Sequence, residues 1–516
     1  LIEEETMINP YMPYMKETFQ IIVLAAVAIL LVGCAVGPNF HKPTPSASQT
    51  YVSDTQPSKT MEAKGPGGNA QRFNTGMDIP AQWWSLFHSA SLDRLVRLAL
   101  DDSPTLMQAQ AKLKQAQEDF NARRGATQYP AVDAGLSITR QQVDLSSYGI
   151  SSFPNPGPFT LYNASVSASY TLDLFGGNRR ALEGLTAKVD YQVFELEAAR
   201  QTLVANVVST AIRQASLRAK IDIVQYLMDA QSRQMAITEE RYKAGGVSAL
   251  DVQNQSILLD QTKALLPPLK KQLAQVNDQL AVYLGREPAE VKIDEFDLNS
   301  LHLPEELPLS LPSSLARQRP DIRAAEALWH QASANVGVAT ANLFPQITLS
   351  GSFGSQRTSS GDILSGVNIW NIAGNLMQPI FHGGELLAKK RSAVAAYDEA
   401  AAAYRQTALN GLQEVADALH ALDADARTLQ AMNDTTDHAR AGYEIAQRQY
   451  QLGGISHLAL LDAQRQLLQT EMDRVQAQAD RYADTAALLY ALGGGWWKPL
   501  SENLPVDSTS TTQIQK

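Results

Sequence analysis

One cysteine, Cys34, is all the sequence offers, so an internal disulfide is excluded and no thiolate metal knot can form. Histidine is nearly as scarce. The eight residues include no pair at i, i+3 or i+4, so the spacing that places two imidazoles on one helix face for zinc is missing. Glu326 with His330 reads as a helix-surface pair. The sequence also lacks a phosphate-cradling glycine loop and a nucleophile elbow, and the eleven methionines make no metal-binding run. Catalytic and metal sites are therefore expected to be none, and no cofactor is expected beyond a covalent lipid. Excess positive charge is lacking too: 43 Lys and Arg against 53 Asp and Glu give a net charge of -10, which argues against a nucleic-acid partner. After residue 33 no apolar run is long enough for a membrane helix. Any further contact with a bilayer must come from strands.

The one apolar run, Ile21 to Val32, follows Lys16 and ends in Gly33-Cys34. It is shorter than the roughly 20 residues of a spanning helix and reads as a secretion signal over residues 1–33. Glu3, Glu4 and Glu5 are wrong for the basic start of such a signal, which places the true start at Met15-Lys16. Leu31-Val32-Gly33-Cys34 resembles a lipobox, in which the cysteine becomes the acylated first residue. Several acyl chains at ~0.8 kcal/mol per buried methylene anchor firmly in membrane lipid. Ala35, rather than Asp, after the cysteine implies sorting to the outer membrane, and residues 34–90 read as an acylated, extended N-terminal segment.

The chain is written twice. Gly176-Gly177 recurs at Gly383-Gly384, Tyr242-x-x-Gly245-Gly246-x-Ser248 at Tyr450-x-x-Gly453-Gly454-x-Ser456, and Leu284-Gly285 at Leu492-Gly493. The spacing implies repeat 1 over 91–285, a Pro-, Glu- and Leu-rich crossing segment over 286–312, repeat 2 over 313–495 and a tail over 496–516. Each copy predicts a helix (about 104–127 and 313–342), two strands, a long helix (178–243 and 385–452), a Gly-Gly turn and a helix of about 38 residues. The long helices hold no proline and abound in Ala, Gln, Glu, Arg and Leu. At 1.5 Å per residue each extends about 100 Å, and their charged faces require water, as in a coiled coil or helical barrel.

Tyr162, Ala164, Val166, Ala168, Tyr170 and Leu172 alternate with Asn163, Ser165, Ser167, Ser169 and Thr171. Ile347 to Phe353 alternates likewise, and Val132–Ile138 and Ile369–Met377 do so more weakly. Strands of 9–11 residues cross a bilayer when tilted. A half-buried soluble sheet is the other meaning of such a pattern. Four strands cannot close a barrel, whose smallest membrane forms have about eight, so the chain must oligomerise as a dimer, trimer or larger ring.

The stretches CAVGPNFHKP from Cys34, WWSLF from Trp83, YTLDLFGGNRR from Tyr170, RPDIRAAEA from Arg319, GVATANLFPQITLSGSFG from Gly337, LLDAQR from Leu460 and ALGGGWW from Ala491 resemble the TolC/OprM-like outer membrane efflux proteins. The match is to their lipoprotein (NodT-type) branch serving resistance-nodulation-division pumps. Ser89-Ala90 and Asp102-Ser103 depart from the family pattern. The resemblance implies an α+β membrane protein: four strands per chain in a transmembrane β-barrel, continued by a long α-helical coiled-coil barrel of two tandem structural repeats. It implies a homotrimer, a passive duct without turnover chemistry, coupled through a periplasmic adaptor (membrane fusion) protein to a proton-driven inner-membrane pump. The turns Gly245, Gly246, Val247, Ser248 and Gly453, Gly454, Ile455, Ser456 would dock the adaptor; as sequence alone they are glycine C-caps followed by serine N-caps. Leu458, Asp462 and Arg465, on one helix face by spacing, would form the periplasmic gate; their plain meaning is a solvated ion pair. At the matched positions of the first copy stand Asn254 and Ile257. An exit duct for type I protein secretion, or a lipid-anchored spacer without a pore, would suit the same architecture.

Overall fold

The computed structural model describes residues 35–497 except 45–47, 54–56, 150–151, 294–295, 360 and 362–365. The signal, Cys34 and the tail beyond residue 497 lie outside the described residues. The chain divides into two compact units. One comprises residues to Lys42, Lys112–Gln192 and Ala325–Tyr404; the other comprises Pro43–Ala111, Val193–Ala324 and the chain from Arg405. Among the described residues no helix is long and apolar enough to cross a membrane.

The first unit is built on an antiparallel sheet of four strands, β2 (Ala131–Gln141), β3 (Phe159–Leu172), β5 (Gln346–Arg357) and β6 (Val367–Met377), hydrogen-bonded in that order. The register sets Leu136 against Ala164, Val166 against Phe353 and Phe353 against Trp370. Because side chains alternate along each strand, one face collects these apolar groups and the other collects Ser165, Ser167, Ser352 and Asn371. The apolar face is bare: Trp370 is 73% and Ile372 81% exposed. A sheet folding in water would hide that face.

The second unit has an ordinary core. Val204, Val207, Val208, Ala211 and Ile212 recur at helical spacing on α3 (Gly177–Lys243) and are buried. They pack with Leu280 of α4 (Ala249–Tyr283), with Val415, Leu419 and Leu422 of α7 (Glu385–Gln451), and with Tyr482, Leu488 and Leu489 of α8 (His457–Ala491). Trp83 and Phe87, from WWSLF, are fully buried among them. Burying each of these rings contributes roughly 2–3 kcal/mol. The described residues between 35 and 90 thus include core-forming and paired segments. Within them β1 (Arg72–Thr75) pairs in parallel with β4 (Glu306–Leu309) of the crossing segment, and α1 (Ala90–Asp102) begins at an N-cap, where Ser89 accepts from the Leu92 N–H.

The long helices run 67 residues in both α3 and α7, and the returning helices 35 residues in both α4 and α8. The expected helix before β2 is α2 (Pro104–Gln128). Its expected counterpart over 313–342 is broken into α5 (Pro312–Gln318) and α6 (Pro320–Ala341). Pro320 is the cause: it disfavours the helical conformation in the residue before it, and Arg319 is extended at φ -85, ψ 124. That turn aims the Arg319 side chain inward. It donates to Asp321 (2.7 Å), Glu414 (2.6 Å) and the Ala491 carbonyl (3.0 Å). Burial alone would lower its pKa, but Asp321 and Glu414 outweigh that and hold it raised. A second feature absent from the expectations is Pro267-Pro268 inside α4. Packing of Leu265, Leu266 and Leu269 with Leu217, Ile221 and Val224 offsets the ~3 kcal/mol that a mid-helix proline costs.

Candidate functional site

The two helix-to-helix turns share one backbone solution. Helix α3 ends on Gly245 at φ +76, with Gly245 N–H donating to the Tyr242 carbonyl (2.9 Å) and Gly246 N–H to the Arg241 carbonyl (2.8 Å). Helix α7 ends on Gly453 at φ +75, with Gly453 N–H to Tyr450 (3.1 Å) and Gly454 N–H to Gln449 (2.8 Å). These paired bonds satisfy carbonyls that the helix end leaves open, and the left-handed residue between them requires glycine. A β-carbon on Gly245 or Gly453 would meet nothing within 4 Å, so the turns face open space.

The next helices start differently. Ser248 accepts from the Asp251 N–H while Asp251 accepts from the Ser248 N–H, a reciprocal capping box. Ser456 accepts from the Ala459 N–H at 3.3 Å, and Ala459 has no carboxylate to return. The N-cap is therefore stronger in the first hairpin than in the second.

His457, the first residue of α8, ties the two turns together. It is buried, stacked on Tyr450 at 5.1 Å, and its Nε2 lies 3.1 Å from Gln255 Oε1 of α4. The Arg241 guanidinium sits 5.5 Å over the Tyr450 ring. Asp251 Oδ1 lies 3.8 Å from His457 Nδ1, outside hydrogen-bond reach. Burial pushes the imidazole pKa down, the Asp251 charge opposes this and Arg241 adds to it. The folded pKa therefore lies below the unfolded value of about 6.5, so the neutral packing is complete above that value and weakens as pH falls through the depressed one. Amide exchange at residues 450–460, corrected for intrinsic rates, is expected to speed up between pH 7.5 and 5. His457→Gln, which keeps a hydrogen-bonding group but cannot titrate, is expected to flatten that profile; a wild-type profile already flat would refute the linkage.

Leu458, Asp462 and Arg465 emerge on the exposed side of α8. Arg465 Nη2 donates to Asp462 Oδ1 at 2.6 Å, both side chains are more than half exposed, and Leu458 is exposed beside the buried His457. In the first hairpin the matched face carries the exposed Leu250 and Ile257 and the half-buried Asn254, without the charge pair. His330, read from spacing as a partner of Glu326 on its own helix, has Nε2 2.9 Å from Glu183 Oε1 of α3. Among the described residues no cluster of His, Asp or Glu could hold a metal.

This succession of elements, written twice with turns of one design, coincides with a family model described as "Outer membrane efflux protein", which matches residues 95–286 and 311–494. The chain belongs to that family. Similar to this efflux protein is the pyoverdine export outer membrane protein OpmQ of Pseudomonas putida, 30% identical over 448 residues, covering 85% of this chain and 93% of that one. The probable efflux pump outer membrane protein TtgC of Pseudomonas putida is 30% identical over 492 residues, covering 93% and 96%. Among solved structures, the outer-membrane channel OprN superposes with a TM-score of 0.77 at 28% identity over 90% of this chain and all of that one. The open state of the Neisseria gonorrhoeae MtrE outer membrane channel gives 0.74 at 25% identity over 90% and 99%. The efflux protein is accordingly an outer-membrane protein and a channel component of an efflux pump.

The two helix-to-helix turns stand where the sequence put them and Leu458, Asp462 and Arg465 share an exposed stretch of α8, while His457 and Arg319 were missed. Arg319 carries a legible signal in Arg-Pro-Asp, since the proline fixes the backbone that turns the guanidinium inward. His457 carries none, because its partners come from three other helices.

Proposed function

We propose that three copies of this chain join their four-stranded sheets into one twelve-stranded transmembrane barrel, and that their helices continue it as a water-filled duct of two structural repeats per chain. The observation that carries this reading is the sheet itself. Its apolar face is uncovered, and β2 and β6 expose long edges that pair with nothing among the described residues. Lipid satisfies the face and neighbouring copies satisfy the edges, since an open edge in a bilayer costs several kcal/mol per unpaired group. The chain is anchored by lipid on Cys34. A proton-driven resistance-nodulation-division pump supplies the substrate, and a periplasmic adaptor seats on the two Gly-Gly turns. Relatives named for export and efflux favour this role over a duct for secreted proteins.

In the closed state Leu458, Asp462 and Arg465 from each copy ring the duct near its tip, so three Asp462 carboxylates confront permeant ions. Planar-bilayer recording tests the reading. Wild-type protein is expected to conduct weakly and Asp462→Ala to conduct several-fold more, because the Asp462–Arg465 pair at 2.6 Å no longer orders the constriction. No pores from either protein would overturn the duct. Equal conductance would return the pair to a surface ion pair worth ~0.5 kcal/mol.

A further inference from the structure

Three sequence stretches singled out above, remote from one another in the chain, meet at one place in the first unit. The run after Cys34 lies along the start of α3 and the last turns of α6. Val36 N–H donates to the Phe175 carbonyl at 3.0 Å. Arg180, nine-tenths buried, donates from Nε to the Val36 carbonyl (3.2 Å) and from Nη2 to the Gly37 carbonyl (3.4 Å) and Asn39 Oδ1 (2.7 Å). Its Nη1 donates to Glu183 (2.7 Å), whose other oxygen meets His330 of α6 at 2.9 Å. Phe40 closes the assembly, stacked on the His330 ring at 4.6 Å and edge-on to Trp329 at 5.4 Å.

Glycines make the fit possible. Gly37 is at φ +95, and a β-carbon there would lie 2.5 Å from the Gly337 Cα; one on Gly337 would lie 2.7 Å from Arg180 Cγ; one on Gly176, at φ +76, would lie 2.5 Å from the Ala35 Cα. Backbone therefore runs against backbone on both sides of the segment. Such contact leaves no room for side chains, and it is specified by glycine from each of the three stretches.

We propose that residues 35–40 are an intramolecular peptide ligand for a socket formed by Arg180, Glu183, His330 and Gly337, and that seating this ligand is the step on which oligomer assembly depends. The physical reason is the origin of the walls. Arg180 and Glu183 belong to α3, which follows β3, while His330 and Gly337 belong to α6, which precedes β5. The peptide bridges the two helices that flank the central β3–β5 pairing, so its seating fixes the two halves of the sheet in register. The assembly clause rests on the oligomer reading above.

The test uses the purified full chain and four variants. Arg180→Ala removes the donors and Gly37→Val drives the two backbones apart. Insertion of about six Gly and Ser residues between Cys34 and Ala35 leaves the socket filled but frees the tether. Arg179→Ala, an exposed neighbour, is the control. Two quantities are read: amide exchange of the peptide spanning 35–40, and the amount of SDS-resistant, heat-dissociable oligomer. Arg180→Ala and Gly37→Val are expected to exchange about tenfold faster or more and to leave less than about a tenth of the oligomer, in proportion to the loss of a multiply bonded buried group. The insertion and the control are expected to match wild type. Unchanged exchange in both socket variants overturns the socket; faster exchange with normal oligomer, or loss of oligomer in the insertion variant, overturns its role in assembly. Protected exchange in a wild-type chain that forms no oligomer would instead refute the oligomer reading and leave the socket standing.

Discussion

A bulky charged residue at either Gly246 or Gly454 is expected to abolish efflux-dependent drug resistance while the amount of protein in the membrane stays normal. Their local geometry makes these two sites clean tests. Unlike Gly245 and Gly453, they are not in the left-handed region, so a side chain brings no backbone strain. Their nearest obstacles are the Arg241 carbonyl at 3.4 Å and the Gln449 carbonyl at 3.5 Å, ordinary contact distances. Each contributes its N–H to the helix end, which any residue other than proline retains. Gly246→Arg and Gly454→Arg should therefore fold, and their effect falls on whatever packs closely on the turn. Susceptibility of a deletion strain complemented with each variant is the measurement. Losing one close backbone contact and burying an unpaired charge at an interface costs well over the ~1.4 kcal/mol that makes a tenfold change in binding. Wild-type resistance in both variants would remove the docking role from the turns.

The second large effect is expected at Arg319. Replacing it by Met keeps much of the volume but strands three acceptors: Asp321, Glu414 and the Ala491 carbonyl at the C-terminal end of α8. Gly411 packs on the same guanidinium, with its virtual β-carbon 3.1 Å from Arg319 Nε, so the side chain also fills the space between α6 and α7. Breaking a buried ion pair by removing one partner costs 3–5 kcal/mol, and the partial exposure of both carboxylates places Arg319→Met near ~3 kcal/mol. Thermal unfolding of the purified protein would show it as a lowered midpoint. Arg319→Lys should recover part of the loss, since an ammonium keeps the charge but cannot form the two-toothed bond to Asp321. A midpoint unmoved by Arg319→Met would mean that the carboxylates are fully resolvated.

What could be read from the sequence was whatever repeats at short range. The alternation from Tyr162 to Leu172 is a local property of a strand with two unlike faces, and the structure carries it across four strands because the register keeps Val166, Phe353 and Trp370 on one side. The Gly-Gly turns were legible because only glycine accepts the left-handed end of each long helix. What escaped depends on partners far along the chain. The β1–β4 pair is four residues long and contains Pro308, too short and irregular to leave a pattern. His330 reads as the partner of Glu326 by spacing, yet the fold offers it Glu183. Spacing within a helix says which residues can meet, and a second helix decides which do. The 313–342 helix fails at a residue whose effect is local, Pro320, because a long favourable composition outweighed one breaker. The helix after the first turn, by contrast, was read as continuous and is so, with Pro267-Pro268 inside it.

Matched helix lengths, 67 with 67 and 35 with 35, have a consequence for how such a chain can change size. Seven residues make close to two helical turns, so removing one heptad displaces everything beyond it by about 10 Å while rotating the faces by only ~20°. Done in one helix, the deletion would set the two turns at different heights and part His457 from Gln255. Done at the same level in all four, it would keep the remaining facing pairs and simply shorten the helices together. The helices therefore work as a ruler that can be recut only in concert, by steps of a fixed size.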